Sequence, residues 1–203
     1  NMSENKFYLR WILANSVGEA IGLGTTFSLG MLFAPFLTQD HHISVTLAEL
    51  LIAVLLGTLL EGVVVGFCQG RILCERLPQL RLQEWIVATA LGAGVAWFLG
   101  MLPSTIISLL TIEQSPNSSP PAEPGAIVQY SLAIVLGLIT GPILGFAQTL
   151  ILRKYVDRAG RWLWANAIAW AVGMLLIFMG MDFVPWERRD LITVVSLVLV
   201  STI

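Results

Sequence analysis

Charged side chains are scarce in this sequence. Asp, Glu, Lys and Arg together make up 12% of the residues, whereas hydrophobic residues make up 56%. A soluble domain carries about 25% charged and about 45–50% apolar residues, so this composition excludes an ordinary soluble domain. The mean hydropathy of +0.81 points the same way. We therefore predict an all-α integral membrane protein.

Cysteine and the common catalytic motifs are also nearly absent. Cys68 and Cys74 are the two cysteines, and a helix would separate them by about 9 Å, too far for a disulfide. There is no Cys-x-x-Cys, no His-Glu-x-x-His and no nucleotide-binding loop, and His41 and His42 are adjacent in a predicted outer loop. The sequence thus predicts no enzyme, no metal site and no nucleic-acid partner, and it assigns no cofactor.

What the sequence does have is long apolar segments. A helix needs about 20 apolar residues to cross a bilayer, and the first five of six segments reach that range, while the sixth is short. We predict a single transmembrane domain over 2–203, a bundle of six transmembrane helices, with a flexible outside loop at 113–124, rich in Ser and Pro. The predicted spans are 11–37, 47–73, 85–101, 126–152, 162–181 and 191–203.

The basic residues are distributed unevenly between the predicted loops. Nine of the eleven precede the first span or lie between spans two and three or spans four and five. The two others, Arg188 and Arg189, lie in the last loop of the opposite side. Because cytoplasmic loops are enriched in Lys and Arg, we predict that both termini are cytoplasmic.

Two helix pairs share a sequence pattern. Spans two and four contain Gly62-x3-Gly66-Phe67-x-Gln69 and Gly141-x3-Gly145-Phe146-x-Gln148. After a basic loop, spans three and five begin with Trp85-x2-Ala88-Thr89 and Trp162-x2-Ala165-Asn166, and span one begins with Trp11-x2-Ala14-Asn15. Such a repeat predicts helix pairs in a pseudo-threefold arrangement. A simpler interpretation is that the glycines pack helices closely and that the tryptophans anchor the interface.

Two carboxylates fall near the middle of the predicted membrane. Glu19 lies about 12 Å and Glu61 about 15 Å from the cytoplasmic boundary at 1.5 Å per residue, and ionisable groups at such depths are functional candidates. A polar layer lies nearer the cytoplasm and comprises Asn15, Gln69, Thr89, Gln148 and Asn166. We predict ligand contacts for Glu19, Glu61, Asn15, Gln69, Gln148 and Asn166. The alternative is that these groups hydrogen-bond helix to helix.

The run Glu61-Gly62-x3-Gly66-x2-Gln69, followed by a basic turn and Trp85-x2-Ala88-Thr89, resembles multi-pass membrane proteins of bacteria, of cyanobacterial type. The likeness extends over spans two to five. Those proteins are uncharacterised, so the resemblance implies a polytopic helical fold and no particular activity.

Of three functions that the sequence leaves open, we predict the first, and the other two are alternatives. The first is a small transporter or channel-like protein that binds a cation, a proton or a cationic solute near the midplane, which requires a hydrated path to the glutamates. The second is an accessory or scaffold subunit, whose Gly-x3-Gly stripes would contact partner transmembrane helices or a second copy. The third is a lipid or pigment binder, which requires an apolar crevice that opens sideways into the bilayer.

Overall fold

A backbone in hydrocarbon must satisfy its own hydrogen bonds, and a helix does so within one segment. The computed structural model of the protein describes residues 3–37, 42–112 and 125–182, and each regular element in those ranges is a helix. In chain order they are α1 (Glu4–Leu37), α2 (Ile43–Leu56), the π-helical turn π1 (Gly57–Gly62), α3 (Val63–Arg76), α4 (Leu82–Ile112), α5 (Ala126–Leu152) and α6 (Arg161–Asp182). Because α2, π1 and α3 are continuous, the described residues form five helices.

Four of these helices are long and apolar enough to cross a membrane, which makes the protein an integral membrane protein. They are Ile43–Arg76, Leu82–Leu110, Ala126–Leu152 and Arg161–Gly180. The prediction of six spans is therefore wrong for the described part of the chain. Helix α1 has 34 residues but is not one of the four. The predicted sixth span, 191–203, and the predicted loop 113–124 lie outside the described residues.

The helices pack in chain order. Helix α1 contacts α2, π1 and α3, which contact α4; α4 then contacts α5, and α5 contacts α6. In the described ranges α1 and α6 do not pack along their lengths, so the pseudo-threefold arrangement of helix pairs is also wrong. The two pairs differ locally, which gives a physical reason: the first contains the π-helical turn at Gly57–Gly62, and the second contains Pro142 within α5 instead.

Both tight turns, 77–81 and 153–160, lie at the same end of the bundle as the start of α1. We call this the basic end. There Arg10 forms a two-pronged ion pair with Glu75, and Lys154 bonds Glu84 at 3.0 Å. A buried apolar cluster holds the turns together beneath these charges; its members are Leu73, Leu80, Trp85, Leu152 and Ala159. The helix ends are therefore fixed at this end of the molecule.

Helix α4 continues past the predicted end of span three at Met101. It runs through Pro103 to Ile112, although proline cannot donate the hydrogen bond that a helix interior expects. The hydroxyls of Ser104 and Thr105 both donate to the carbonyl of Met101 in the same turn. The apolar residues after Pro103, which lie beyond the predicted span 85–101, thus belong to this helix.

Candidate functional site

Glu61 lies on π1, the only π-helical turn among the described elements. Glu61 is 3% exposed. Its Oε2 accepts a hydrogen bond of 2.6 Å from Nε1 of Trp97 on α4. Single π-helical turns within α-helices are rare and are frequently found at functional sites. The local backbone therefore brings the deepest acidic group of the long helix against an indole donor.

A glycine makes this contact possible. A Cβ atom placed on Gly57 would overlap the indole ring of Trp97, so only glycine leaves room for the ring beside π1. Phe27 on α1 contacts the same indole edge-on, with ring centroids 6.0 Å apart. Trp97 is a site residue that the sequence analysis missed. The sequence did contain an indication of this role, because Trp97 lies within a predicted span and a buried indole N–H usually has a hydrogen-bond partner.

Glu19 joins Glu61 from the facing helix α1. A Cβ atom on Gly22 would stand 2.7 Å from the Cα atom of Glu61, so the two backbones approach closely at this level. Glu19 lies three residues before Gly22, less than one turn along α1. The Oε2 atom of Glu19 is buried and has no hydrogen-bond partner among the described residues. We call Glu19 and Glu61 the carboxyl pair.

Glu61, one member of the carboxyl pair, lines an apolar cavity, which we call the crevice. It has a volume of about 290 Å³, is partly open, and is lined by residues of α1, π1, α4, α5 and α6. Among its described lining residues Glu61 is the one ionisable side chain and Thr140 the one hydroxyl. The walls are otherwise aliphatic, aromatic or sulfur-containing, and include Leu23, Phe27, Trp97, Met101, Trp170 and Phe178.

The predicted polar layer forms a closed hydrogen-bond network toward the basic end. Gln69 donates to Oδ1 of Asn15 at 2.8 Å, and Gln148 donates to Oε1 of Gln69 at 2.9 Å and to the hydroxyl of Thr89 at 3.0 Å. The indole of Trp162 donates to Oε1 of Gln148 at 2.7 Å. With Gln148 at 0% exposure, this polar network connects α1, α3, α4, α5 and α6 and leaves no open vestibule at its centre.

The remaining predicted residue, Asn166, lies beside this network without joining its chain of side chains. Its Nδ2 donates to the carbonyl of Trp162 in its own helix at 2.9 Å, and its side chain packs where Gly145 leaves space. The structure thus separates the six predicted residues into two groups. Glu61 lines the crevice and Glu19 lies on the facing helix α1, whereas Asn15, Gln69, Gln148 and Asn166 lie in or beside the polar network.

Neither group has the composition of a metal centre, since no three His, Cys, Asp or Glu side chains come together as potential metal ligands in the described ranges. Comparison of the chain with protein-family models, with curated proteins and with solved structures finds no match. The function is therefore argued from the site itself.

Proposed function

We propose that the protein is a membrane-embedded binder of an apolar or amphipathic small molecule, and that the crevice is its binding site. One observation carries the proposal: a cavity with apolar walls and a single ionisable group, Glu61, beside α1 and α6, which do not pack along their lengths in the described ranges. Binding pockets for small molecules have this composition, mostly apolar with a few polar groups that fix orientation. We propose that the ligand enters the crevice from the bilayer.

The glycine stripes support this choice over a scaffold. Cβ atoms on Gly62 and Gly66 would contact the backbone of α4, and those on Gly137 and Gly141 would contact the backbone of α6. These stripes are already engaged in packing within the chain. Small residues permit such close helix contact in lipid, so the described stripes do not require a partner protein.

We further propose that the basic end is cytoplasmic. The start of α1, the turns 77–81 and 153–160, and nine of the eleven basic residues belong to this end. Cytoplasmic segments near membrane helices carry this excess of Lys and Arg. Since the polar network closes the basic end, the crevice would receive its ligand from the bilayer or from the opposite face.

Blocking the crevice tests the proposal. Gly100 lines it, and a Cβ atom there meets no neighbour within 4 Å, so Gly100→Leu should fill part of the cavity without a clash. In nanodiscs, a brominated fatty alcohol should quench tryptophan fluorescence of the wild type, because Trp97 and Trp170 line the crevice. We expect Gly100→Leu to lose most of the saturable quenching.

Gly173→Leu is the matched control. Gly173 also has open space around its Cβ position, but it does not line the crevice. Its quenching should equal that of the wild type. Equal quenching in Gly100→Leu and Gly173→Leu would show that the probe binds elsewhere, and the binding proposal would be abandoned.

A second candidate function is proton or cation transport, favoured by the unpartnered Oε2 atom of Glu19 beside Glu61. Glu61→Gln keeps the shape of the side chain and removes its charge. Under this candidate the substitution abolishes pH-dependent cation flux in proteoliposomes. No flux from the wild type above that of protein-free vesicles would eliminate this second function.

A further inference from the structure

The hydrogen-bond donors and acceptors around the crevice differ in whether they already have a partner. The lining side-chain donors are Trp97, Thr140 and Trp170; Trp97 already donates to Glu61, and Thr140 donates to the carbonyl of Leu136 at 2.9 Å. Among these donors, only the indole N–H of Trp170 is without a partner in the described residues. The acceptors are the carboxyl oxygens of Glu61, which lines the crevice, and, on the facing helix α1, the buried Oε2 of Glu19. Because a hydrogen bond to a carboxylate is stronger than one from a neutral indole N–H, a ligand that donates to Glu61 gains more than one that accepts from Trp170.

The distribution of charged groups also favours a ligand with a positively charged head group. The described ion pairs, Arg10–Glu75, Arg81–Glu84 and Lys154–Glu84, all lie at the basic end, so they neutralise nothing at the carboxyl pair. A buried carboxylate without a partner is costly, and a cation beside it offsets much of that cost. An anionic head group would instead add a like charge. The site thus favours a cation at the end of the crevice where Glu61 lies.

The apolar walls determine the rest of the ligand. Phe27, Met101 and Phe178 offer only hydrocarbon and sulfur to a bound molecule, which suits an alkyl chain. The indole faces of Trp97 and Trp170 can also stabilise a nearby cation, because the ring quadrupole attracts positive charge. A small inorganic cation would leave the apolar surface empty.

We propose that the ligand of the crevice is a cationic amphiphile, an alkylammonium whose head group binds Glu19 and Glu61 and whose chain occupies the apolar crevice. This inference rests on the proposed binding function and adds the chemical class of the ligand. It assigns the carboxyl pair to recognition of the ammonium group, with Glu61 as the residue that lines the cavity and Glu19 as the source of the free acceptor oxygen.

The test compares probes that differ only in their head groups. Brominated alkylamine, brominated fatty alcohol and brominated fatty acid of equal chain length are added to the protein in phosphatidylcholine nanodiscs, and tryptophan quenching is measured per mole fraction of probe. The amine should half-saturate at a concentration about tenfold or more below that of the acid, as a charge-assisted hydrogen bond allows. Glu19→Gln and Glu61→Gln should each lose most of this preference while still binding the alcohol.

The outcomes are distinguishable from those of the parent proposal. If the acid quenches as well as the amine, or if both Gln variants keep the full preference for the amine, the cationic ligand class is wrong although the crevice still binds amphiphiles. If no probe quenches the wild type more than it quenches Gly100→Leu, the binding function itself fails. The alcohol serves as the folding control, because it needs the crevice and not the charge.

Discussion

At the residue scale, the site depends on a few contacts made at one level of the bundle. Gly57 leaves room for Trp97, Gly22 allows α1 to approach Glu61, and Trp97 donates its N–H to the carboxyl group. The first contact requires a residue without a Cβ atom, the second requires two backbones that approach closely, and the third requires a hydrogen-bond donor. Substitutions here should therefore have effects that depend on chemistry and not only on size.

Removing the indole donor should destabilise the protein. Trp97→Phe keeps a large aromatic ring beside Phe27 but leaves Oε2 of Glu61 without its hydrogen bond, and an unsatisfied buried acceptor costs about 1–3 kcal/mol. We expect a lower thermal midpoint in detergent for Trp97→Phe, restored in part by Glu61→Leu in the same chain, because the acceptor is then gone.

Trp170→Phe provides the comparison for that measurement. Trp170 also lines the crevice, but its indole N–H has no partner in the described residues, so the same exchange should change the midpoint less. If Trp97→Phe and Trp170→Phe lower the midpoint equally, the hydrogen bond to Glu61 does not contribute to stability.

The sequence identified part of this site. Glu19 and Glu61 stand out because a carboxyl group in an apolar segment is costly, and that cost can be read from the sequence. The role of Trp97 could not be read, because its contact with Glu61 depends on the helical phase at π1 and on the approach of α4. The residues of the predicted polar layer could be named from the sequence, but the partners of Gln69 and Gln148 depend on how five helices converge.

At the element scale, glycines determine how closely neighbouring helices approach. On α5, a Cβ atom at Gly141 would stand 2.5 Å from the carbonyl oxygen of Asn166 on α6. Backbone at that distance cannot be moved as a flexible side chain can. The close α5–α6 contact therefore requires glycine at this position.

Gly141→Ala should separate α5 from α6 locally and lower the free energy of unfolding by about 1–3 kcal/mol, the usual cost of overpacking. The measurement is thermal or chemical unfolding in detergent. Gly173→Ala on α6 is the control, since its Cβ position is open, and it should be neutral. A neutral Gly141→Ala would show that the helices adjust without loss.

The four membrane helices were predictable because apolar length is a property of composition alone. The irregular positions within these helices were harder to predict. The π-helical turn at Gly57–Gly62 has no sequence signature, since it arises where packing on Trp97 and α1 stabilises one extra residue. Likewise, α4 continues beyond Pro103 to Ile112, although a proline in an apolar segment usually indicates a kink or the end of a helix.

At the scale of the whole molecule, one end is tied by charge and aromatic contacts and the other surrounds a cavity. Trp162 contacts both Trp11 and Trp85, with ring centroids 5.6 and 6.0 Å apart. The repeated tryptophans thus meet, although the helix pairs that carry them do not form a ring in the described ranges. The motif repeat was visible in the sequence, but it did not determine the symmetry of the bundle.

Orientation in the membrane can be tested with two glycines that have open Cβ positions, Gly160 before α6 at the basic end and Gly125 before α5 at the other end. In a chain carrying Cys68→Ser and Cys74→Ser, we expect Gly125→Cys to react with an impermeant maleimide in intact cells. Gly160→Cys should react only after permeabilisation. The reverse pattern would place the basic end outside.

The π-helical turn has a consequence for relatives of this protein. A helix that contains a π turn holds one residue more than a regular α-helix over the same contact, so the residue faces of α2 and α3 are offset in phase across Gly57–Gly62. A homologue with a single-residue deletion in this turn would form an uninterrupted α-helix and would present a different side chain to the position of Trp97. In an alignment, the length of this short segment would then distinguish chains that retain the carboxyl pair from chains that have lost it.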